Sequence, residues 1–390
     1  MSNNNENKLV PKLRFPDFTT EEGWNLMQIG DILDAQSSSL ALNKLELRKN
    51  GYAVYGADSI VGYINTYQHS KQYISIVKDG SGVGRLNLCK TETSILGTLS
   101  SLKSKDENKY LIAWAYYLLN TIDFSSYVKG AGIPHIYYSD YKHHTIGVAK
   151  PKEQQKIAAC LTSLDEVISA ENQKLEVLKE HKKGLLQNLF PQAGETVPKV
   201  RFKEFEDSGE WVVEILTEVA TFVNEKTQLE NLSINSYIST ENLLPDYAGV
   251  SFASKLPTSG NFTKYKIGDI LISNIRPYLK KVWFADKNGA CSNDVIVIRA
   301  NSVVSEVFLS CLLRNDAFIS YIMKNVEGVK MPRGDKDSIK EYPISYPVDP
   351  KEQQKIASCL SSLDELITAQ TQKITLLQQH KKGLLQGLFP

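Results

Sequence analysis

The sequence predicts an α+β protein written twice: two variable mixed segments separated by a pair of long, antiparallel coiled-coil helices, with an internal pseudo-two-fold repeat. Three observations carry this. A 40-residue stretch from Lys152 to Pro191 returns, 199 positions later and without a gap, as Lys351 to Pro390, with 28 of the 40 positions identical. A shorter arm, VPKLRFPDF at Val10 to Phe18, returns 187 positions later as VPKVRFKEF at Val197 to Phe205, and Trp24 answers Trp211 at the same offset. Between arm and long repeat lies, in each half, a segment where short alternating apolar runs come before helical ones. The boundaries implied are 1–150 for the first variable domain with its arm, 151–191 for the first long helix, 192–349 for the second variable domain with its arm, and 350–390 for the second helix.

The long repeat is helical by its period. Ile157, Leu161, Leu164, Ile168, Leu175, Leu178, Leu185 and Leu189 fall on steps of four and three once Glu171 and Lys182 are admitted to the series. Ile356, Leu360, Leu363, Ile367, Ile374, Leu377, Leu384 and Leu388 repeat the pattern, with Gln370 and Lys381 as polar members. An apolar seam this narrow cannot bury itself, so each helix needs a partner, and the other copy is the nearest candidate. An antiparallel pairing relates the two copies by an approximate two-fold axis. Asp349, Pro350 and Glu352 stand where a helix start with a capping box wants them, whereas Lys150 and Pro151 make a weaker start for the first copy.

The middles no longer resemble each other closely. In the first, Tyr52–Tyr55, Ile60–Ile64, Tyr73–Val77 and Arg85–Leu88 read as strands and Lys109–Ile122 as a helix. In the second, Ile234–Ile238, Ile270–Ser273, Lys281–Phe284 and Val295–Arg299 read as strands, with helices over Ser305–Leu313 and Ala317–Lys324. One late correspondence survives, GAGIPH at Gly130 to His135 against GVKMPR at Gly328 to Arg333. One fold with two different surfaces is the reading.

Composition excludes several classes. The 42% hydrophobic content over 390 residues is that of an ordinary soluble chain of two or three domains. No apolar run approaches membrane-spanning length and MSNNNENK has no signal-peptide core, so a cytoplasmic protein with no membrane partner is expected. The five cysteines show neither CxxC nor a zinc spacing with histidine, and read as reduced structural thiols. GSGVG at Gly80 to Gly84 lacks the GK[ST] of a phosphate loop and reads as a β-turn. His143 and His144 are adjacent, a poor arrangement for a metal or for acid–base work. Asp165 with Glu166 and Asp364 with Glu365 mimic paired carboxylates, but their recurrence in both helices favours capping, solvation or partner contact. Neither an NPPY-like methylase motif nor a Walker A sequence is present.

Net charge is only +1, yet it is unevenly spread: −3 over residues 1–34, +5 over 35–150, −6 over 192–244 and +4 over 245–345. The positive charge sits in the two middles, which is where nucleic acid is expected to bind.

Two variable segments, each preceded by VPK.RF..F and closed by a long helix running from PKEQQKIA to KKGLLQ.LFP, resemble the specificity subunit of a type I restriction–modification system. The likeness extends into KIGDILISNIRPYLKKVW and CSNDVIVIR in the second middle, and VYGADSIVGYIN and DGSGVGRLN in the first. It implies a non-catalytic subunit with two target-recognition domains, each reading one half of a bipartite, asymmetric site in double-stranded DNA. It also implies two methylation subunits docked on the helix pair, which sets the half-site spacing, with restriction subunits able to join them. No cofactor is then expected in this chain; S-adenosylmethionine, ATP and Mg belong to the partners. Candidate DNA-binding residues are Lys78, Arg85, Lys129, His135 and Tyr137 in the first half, and Arg276, Tyr278, Lys280, Lys281, Lys330, Arg333 and Lys336 in the second. Such groups suit phosphates, and arginine also suits guanine edges. The alternative is a coiled-coil scaffold whose middles bind protein or carbohydrate.

Overall fold

In the computed structural model, which describes residues 8–192, 194–324, 326–327 and 332–390, the chain divides into two compact units. The first comprises Met1–Gln173 with Thr371–Pro390, the second Lys174–Gln370. The long helices run over Pro151–Asn188 and Pro350–Leu388, so each begins in one unit and ends in the other.

The first unit has a four-stranded antiparallel sheet in the order Leu33–Ser37, Leu99–Ser104, Tyr73–Val77, Leu86–Cys89. Its centre, Tyr73–Val77, is buried at every position, the polar Ser75 included, as a strand covered on both faces should be. A second sheet joins Ile60–Ile64, Tyr52–Tyr55 and Ser94–Ile95, and a third joins Lys8–Leu9, Trp24–Gln28 and Thr145–Val148. In the second unit the corresponding four-stranded sheet runs Ala220–Phe222, Val295–Ala300, Ile270–Ser273, Val282–Phe284. Beside it stand a four-stranded sheet of Lys226–Thr227, Phe262–Tyr265, Gly289–Cys291 and Tyr237–Ile238, and the pair Val212–Ile215 with Pro343–Tyr346.

Four strands, Tyr52–Tyr55, Ile60–Ile64, Tyr73–Val77 and Ile270–Ser273, have the bounds their alternation predicts. The strand expected over Ile234–Ile238 shortens to Tyr237–Ile238, because Ser236 and Tyr237 donate their N–H groups back to the Ser233 carbonyl in a turn. The helix expected over Lys109–Ile122 covers Ile112–Leu119. Its start is trimmed because the Leu111 N–H is held by the Gln154 side chain at 2.8 Å, not by a preceding helical turn.

The conserved letters of the long repeat are explained by what its ends touch. Arg14 of the first arm grips both oxygens of Glu153, Nε to Oε1 at 2.7 Å and NH2 to Oε2 at 2.8 Å, and its NH1 and NH2 also donate to the Glu21 and Glu22 carbonyls. Arg201 grips Glu352 in the same bidentate way, both bonds 2.7 Å. These side chains are nearly removed from solvent, 7% exposed for each arginine and 1% for each glutamate. Glu352 therefore does not close a capping box as the sequence suggests; the arginine takes its carboxylate, while Asp349 alone caps, accepting from the Lys351 N–H at 2.8 Å. The next residue is used twice as well. Gln154 donates to the carbonyls of Lys109 and Ala149, and Gln353 to those of Val303 and Pro347.

The far end of each repeat closes a core. In the first unit Phe389 stacks edge-on against Trp24, 5.9 Å between rings, with Trp114 beside both. In the second, Phe190 meets Trp211 at 6.0 Å and Phe308 at 5.6 Å. The arm is hydrogen-bonded there too, Leu13 N–H to the Gly387 carbonyl at 2.8 Å and Val200 N–H to the Asn188 carbonyl at 3.0 Å. A Cβ on Gly387 would lie 2.5 Å from Leu13, which accounts for glycine here where the first copy has asparagine against the smaller Val200.

The helices pair antiparallel. Within the first unit Asp165 meets Lys381 and Glu171 meets Lys373, each at 2.5 Å, so numbers rise on one helix as they fall on the other. Within the second unit Lys182 meets Asp364 at 2.5 Å, the same contact with the copies exchanged. Every seam residue is buried or half-buried: Ile157, Leu161, Leu175, Leu189, Ile356, Leu360, Leu363, Ile374 and Leu388 fully, the others in part. Ile157 and Leu161 also belong to the first unit's core with Leu388, and Ile356 and Leu360 to the second's with Leu189, so the seam merges into a core at each end.

Glu153→Ala or Glu352→Ala strands a buried guanidinium and is expected to cost about 3–5 kcal/mol of stability. Denaturant unfolding followed by circular dichroism checks this; an unchanged midpoint would mean the pair is dispensable.

Candidate nucleic-acid interface

In both units the central strand of the main sheet leaves into a turn that carries candidate residues. Tyr73–Val77 passes through 78–85 to Leu86–Cys89, closed by the Gly84 N–H to the Val77 carbonyl at 2.8 Å. Ile270–Ser273 passes through 274–281 to Val282–Phe284, closed by the Ser273 N–H to the Lys281 carbonyl at 3.0 Å. GSGVG is thus a hairpin turn followed by a strand.

Each turn is braced by the proline-bearing segment that the sequence matched. Gly80 donates to the Pro134 carbonyl at 2.9 Å and Ile136 to the Lys78 carbonyl at 2.8 Å. Arg276 donates to the Pro332 carbonyl at 2.8 Å and Gly334 to the Asn274 carbonyl at 3.1 Å. Bridges of Asp79 with His135 and of Ile275 with Arg333 complete the parallel. Position by position, Lys78 answers Asn274, Asp79 answers Ile275, Gly80 answers Arg276 and His135 answers Arg333.

The structure therefore brings Lys78, Arg85, Lys129 and His135 to one turn and its brace, with Tyr137 half exposed and its ring 5.1 Å from that of His135. Arg276, Tyr278, Lys280, Lys281 and Arg333 gather on the other. Lys336 opens the short helix Lys336–Lys340 and lines, with Lys226 and Lys340, a cleft of about 480 Å³. Lys330 lies outside the described residues.

Most of these cations have acidic neighbours that no local pattern announced. Lys129 pairs with Asp140 at 2.5 Å, a hydrogen bond that holds the aspartate below the usual carboxylate range. Arg85 pairs with Asp58, Lys280 with Asp316 at 2.8 Å, and Arg333 with Asp294 at 3.5 Å. Lys281 instead donates to the Thr240 carbonyl at 2.7 Å. Asp140 is largely buried, but the other three pairs lie mostly in solvent, where an ion pair contributes little.

The groups that mimic catalytic chemistry are otherwise engaged. Asp165 accepts from the Tyr117 hydroxyl at 2.9 Å as well as from Lys381, and Asp364 lies 3.4 Å from Arg314 besides meeting Lys182. His143 is bonded to Gln28 and His144 to Tyr127. Burial pushes the thiol of Cys291 up to about 12 and that of Cys311 up to about 11, away from thiolate reactivity. Among the described residues no group of three or more His, Cys, Asp or Glu side chains could hold a metal ion, and no helix is long and apolar enough to cross a membrane.

Two units that place different side chains on a shared hairpin and brace, and that draw on two copies of one long helix, define an internally duplicated α+β protein. The family model for the type I restriction modification DNA specificity domain matches residues 21–180 and 208–379, and the chain belongs to that family. It is 23% identical to the MjaVIII type I restriction enzyme specificity subunit of Methanocaldococcus jannaschii, over 94% of this chain and 92% of the relative. It is 22% identical to the EcoDI specificity subunit of Escherichia coli, over 85% and 79%. The fold is that of the S subunit of a type I restriction-modification system from M. genitalium, with a TM-score of 0.68 at 18% identity, covering 98% of this chain and 99% of that one.

The second brace is tightly packed: a Cβ on Gly334 would lie 2.9 Å from Ile322 and 3.0 Å from the Asn274 side chain. Gly334→Ala is expected to cost about 1–3 kcal/mol and to loosen residues 274–281. Hydrogen exchange should show faster exchange at the Arg276 and Ser273 amides; unchanged rates would mean the brace does not hold the turn.

Proposed function

We propose that this chain is the DNA-reading, non-catalytic subunit of a type I restriction–modification complex, each unit recognising one half of a bipartite, asymmetric site. The observation that carries the reading is the shared hairpin and brace bearing unlike residues, DGSGVG in one unit and NIRPYLKK in the other. One backbone can then approach two DNA segments in the same manner and ask for different bases. Methylation and cleavage, with S-adenosylmethionine, ATP and Mg, reside on partner subunits.

Two methylation subunits fit the duplication. The first unit exposes Val167 and Leu376 and the second Leu366 and Val177, equivalent positions of the two helix copies, all more than 40% exposed. Charging one unit's set, Val167→Glu with Leu376→Glu, is expected to lower the complex from two methylation subunits to one. Native mass spectrometry reads this directly, and retention of both copies would place docking elsewhere.

The test of the reading itself is coexpression with a methylation subunit of the same system and sequencing for modified adenines. A split motif is expected, and exchanging residues 35–150 for those of a different specificity subunit should change one half only. Removing one heptad from each long helix shortens the pair by about 10 Å and should shrink the gap between half-sites by roughly three base pairs. A complex that forms without DNA preference would instead favour a scaffold whose middles bind protein or carbohydrate.

A further inference from the structure

Five described residues other than glycine have a positive φ, and four of them meet at the second unit's turn: Arg276 at 51°, Lys280 at 54°, Asp246 at 54° and Tyr247 at 60°. Asp246 and Tyr247 donate their N–H groups to the carbonyls of Leu279 and Lys280, both at 3.0 Å, so one strained segment clasps the other. The left-handed conformation is unfavourable for an L side chain, and persists where surrounding contacts impose it. At the equivalent position of the first unit the chain uses the residue suited to that conformation, Gly80, with φ 98°. Both positions donate their N–H to the same brace, Gly80 to the Pro134 carbonyl and Arg276 to the Pro332 carbonyl.

Arg276 differs from its neighbours in a second respect. It is exposed, and among the described residues its guanidinium has no hydrogen-bond or ion-pair partner, whereas Lys280 and Arg333 each have an aspartate. An arginine whose backbone is held against local preference on a braced turn, with no guanidinium donor engaged among the described residues, offers an available fork from a fixed base. From this geometry we infer that Arg276 is a specificity-determining residue, which reads a guanine edge in the half-site bound by the second unit. Gly80 is the blank at the same position of the first unit, where a Cβ would meet nothing within 4 Å and only the φ of 98° opposes a side chain. The inference rests on the DNA-reading role proposed above. It adds one named base-reading position and its silent counterpart.

The experiment maps modified adenines in cells expressing the full complex with Arg276→Gly. The variant should assemble with a thermal midpoint at or above that of the parent, since it relieves a strained φ. It should keep the first half of the motif and lose preference for one base of the second half by about tenfold to a hundredfold. An unaltered motif overturns the inference and leaves the bipartite reading standing, as does a uniform loss with no change of consensus, which would make Arg276 a phosphate contact. A parent complex that modifies no split motif would sink the underlying reading instead. Should Arg276→Gly fail to assemble, Arg276→Asn, which tolerates a left-handed φ, takes its place with the same outcomes. Gly80→Arg is the reciprocal arm: a new base requirement in the first half supports the equivalence, and an unchanged first half contradicts it.

Discussion

The structure depends on anchoring the start of each long helix to its own arm through a buried, bidentate arginine–glutamate pair. Arg14 with Glu153 and Arg201 with Glu352 each place two formal charges almost out of water, where they are tolerable only because every nitrogen of the guanidinium is hydrogen-bonded. An apolar contact could supply comparable stability, but it would not fix an angle. The planar fork accepts a carboxylate in one plane only, and thereby orients the first turn of a helix that then leaves for the other unit.

That anchoring explains how identity is distributed along the repeat. The first turns are held by an arm and by the glutamine that follows, and the last turns are packed among tryptophan and phenylalanine rings. Between them only the seam constrains the sequence. Nine of the twelve differences between the copies accordingly fall between Val167 and Glu180 or their counterparts. One of the remaining three, Asn188 against Gly387, answers the size of the arm residue it faces.

Much of this could be read in the sequence, because it depends on period and repetition. The seam, the strand Tyr73–Val77 and the likeness of GAGIPH to GVKMPR needed no coordinates. What could not be read is whatever joins distant residues through chemistry without period. Arg201 and Glu352 lie 151 positions apart, and the glutamate read as a capping-box acid until the arginine claimed it. The outer strands Trp24–Gln28 and Thr145–Val148 mix polar and apolar residues and gave no alternation to find. The aspartates beside the candidate cations come from Asp58, Asp140, Asp294 and Asp316, which share neither motif nor neighbourhood in the chain. The left-handed φ of Arg276 had no signal at all, since glycine would have been the natural residue there.

Those aspartates bear on how such a surface can be selective. On the reading proposed above, a bare cluster of cations would bind any duplex through its phosphates, and the near-neutral total charge limits that tendency. Pairing Lys129, Lys280 and Arg333 with aspartates keeps each cation positioned while weakening its pull on phosphate at a distance. In close contact the exposed pair is readily exchanged, because it was worth little to begin with. A surface built this way holds back its charge until shape and base edges fit. The cations then contribute orientation and the unpaired donors contribute choice, so the side chains of a braced turn can be altered without disturbing the helices on which both units are built.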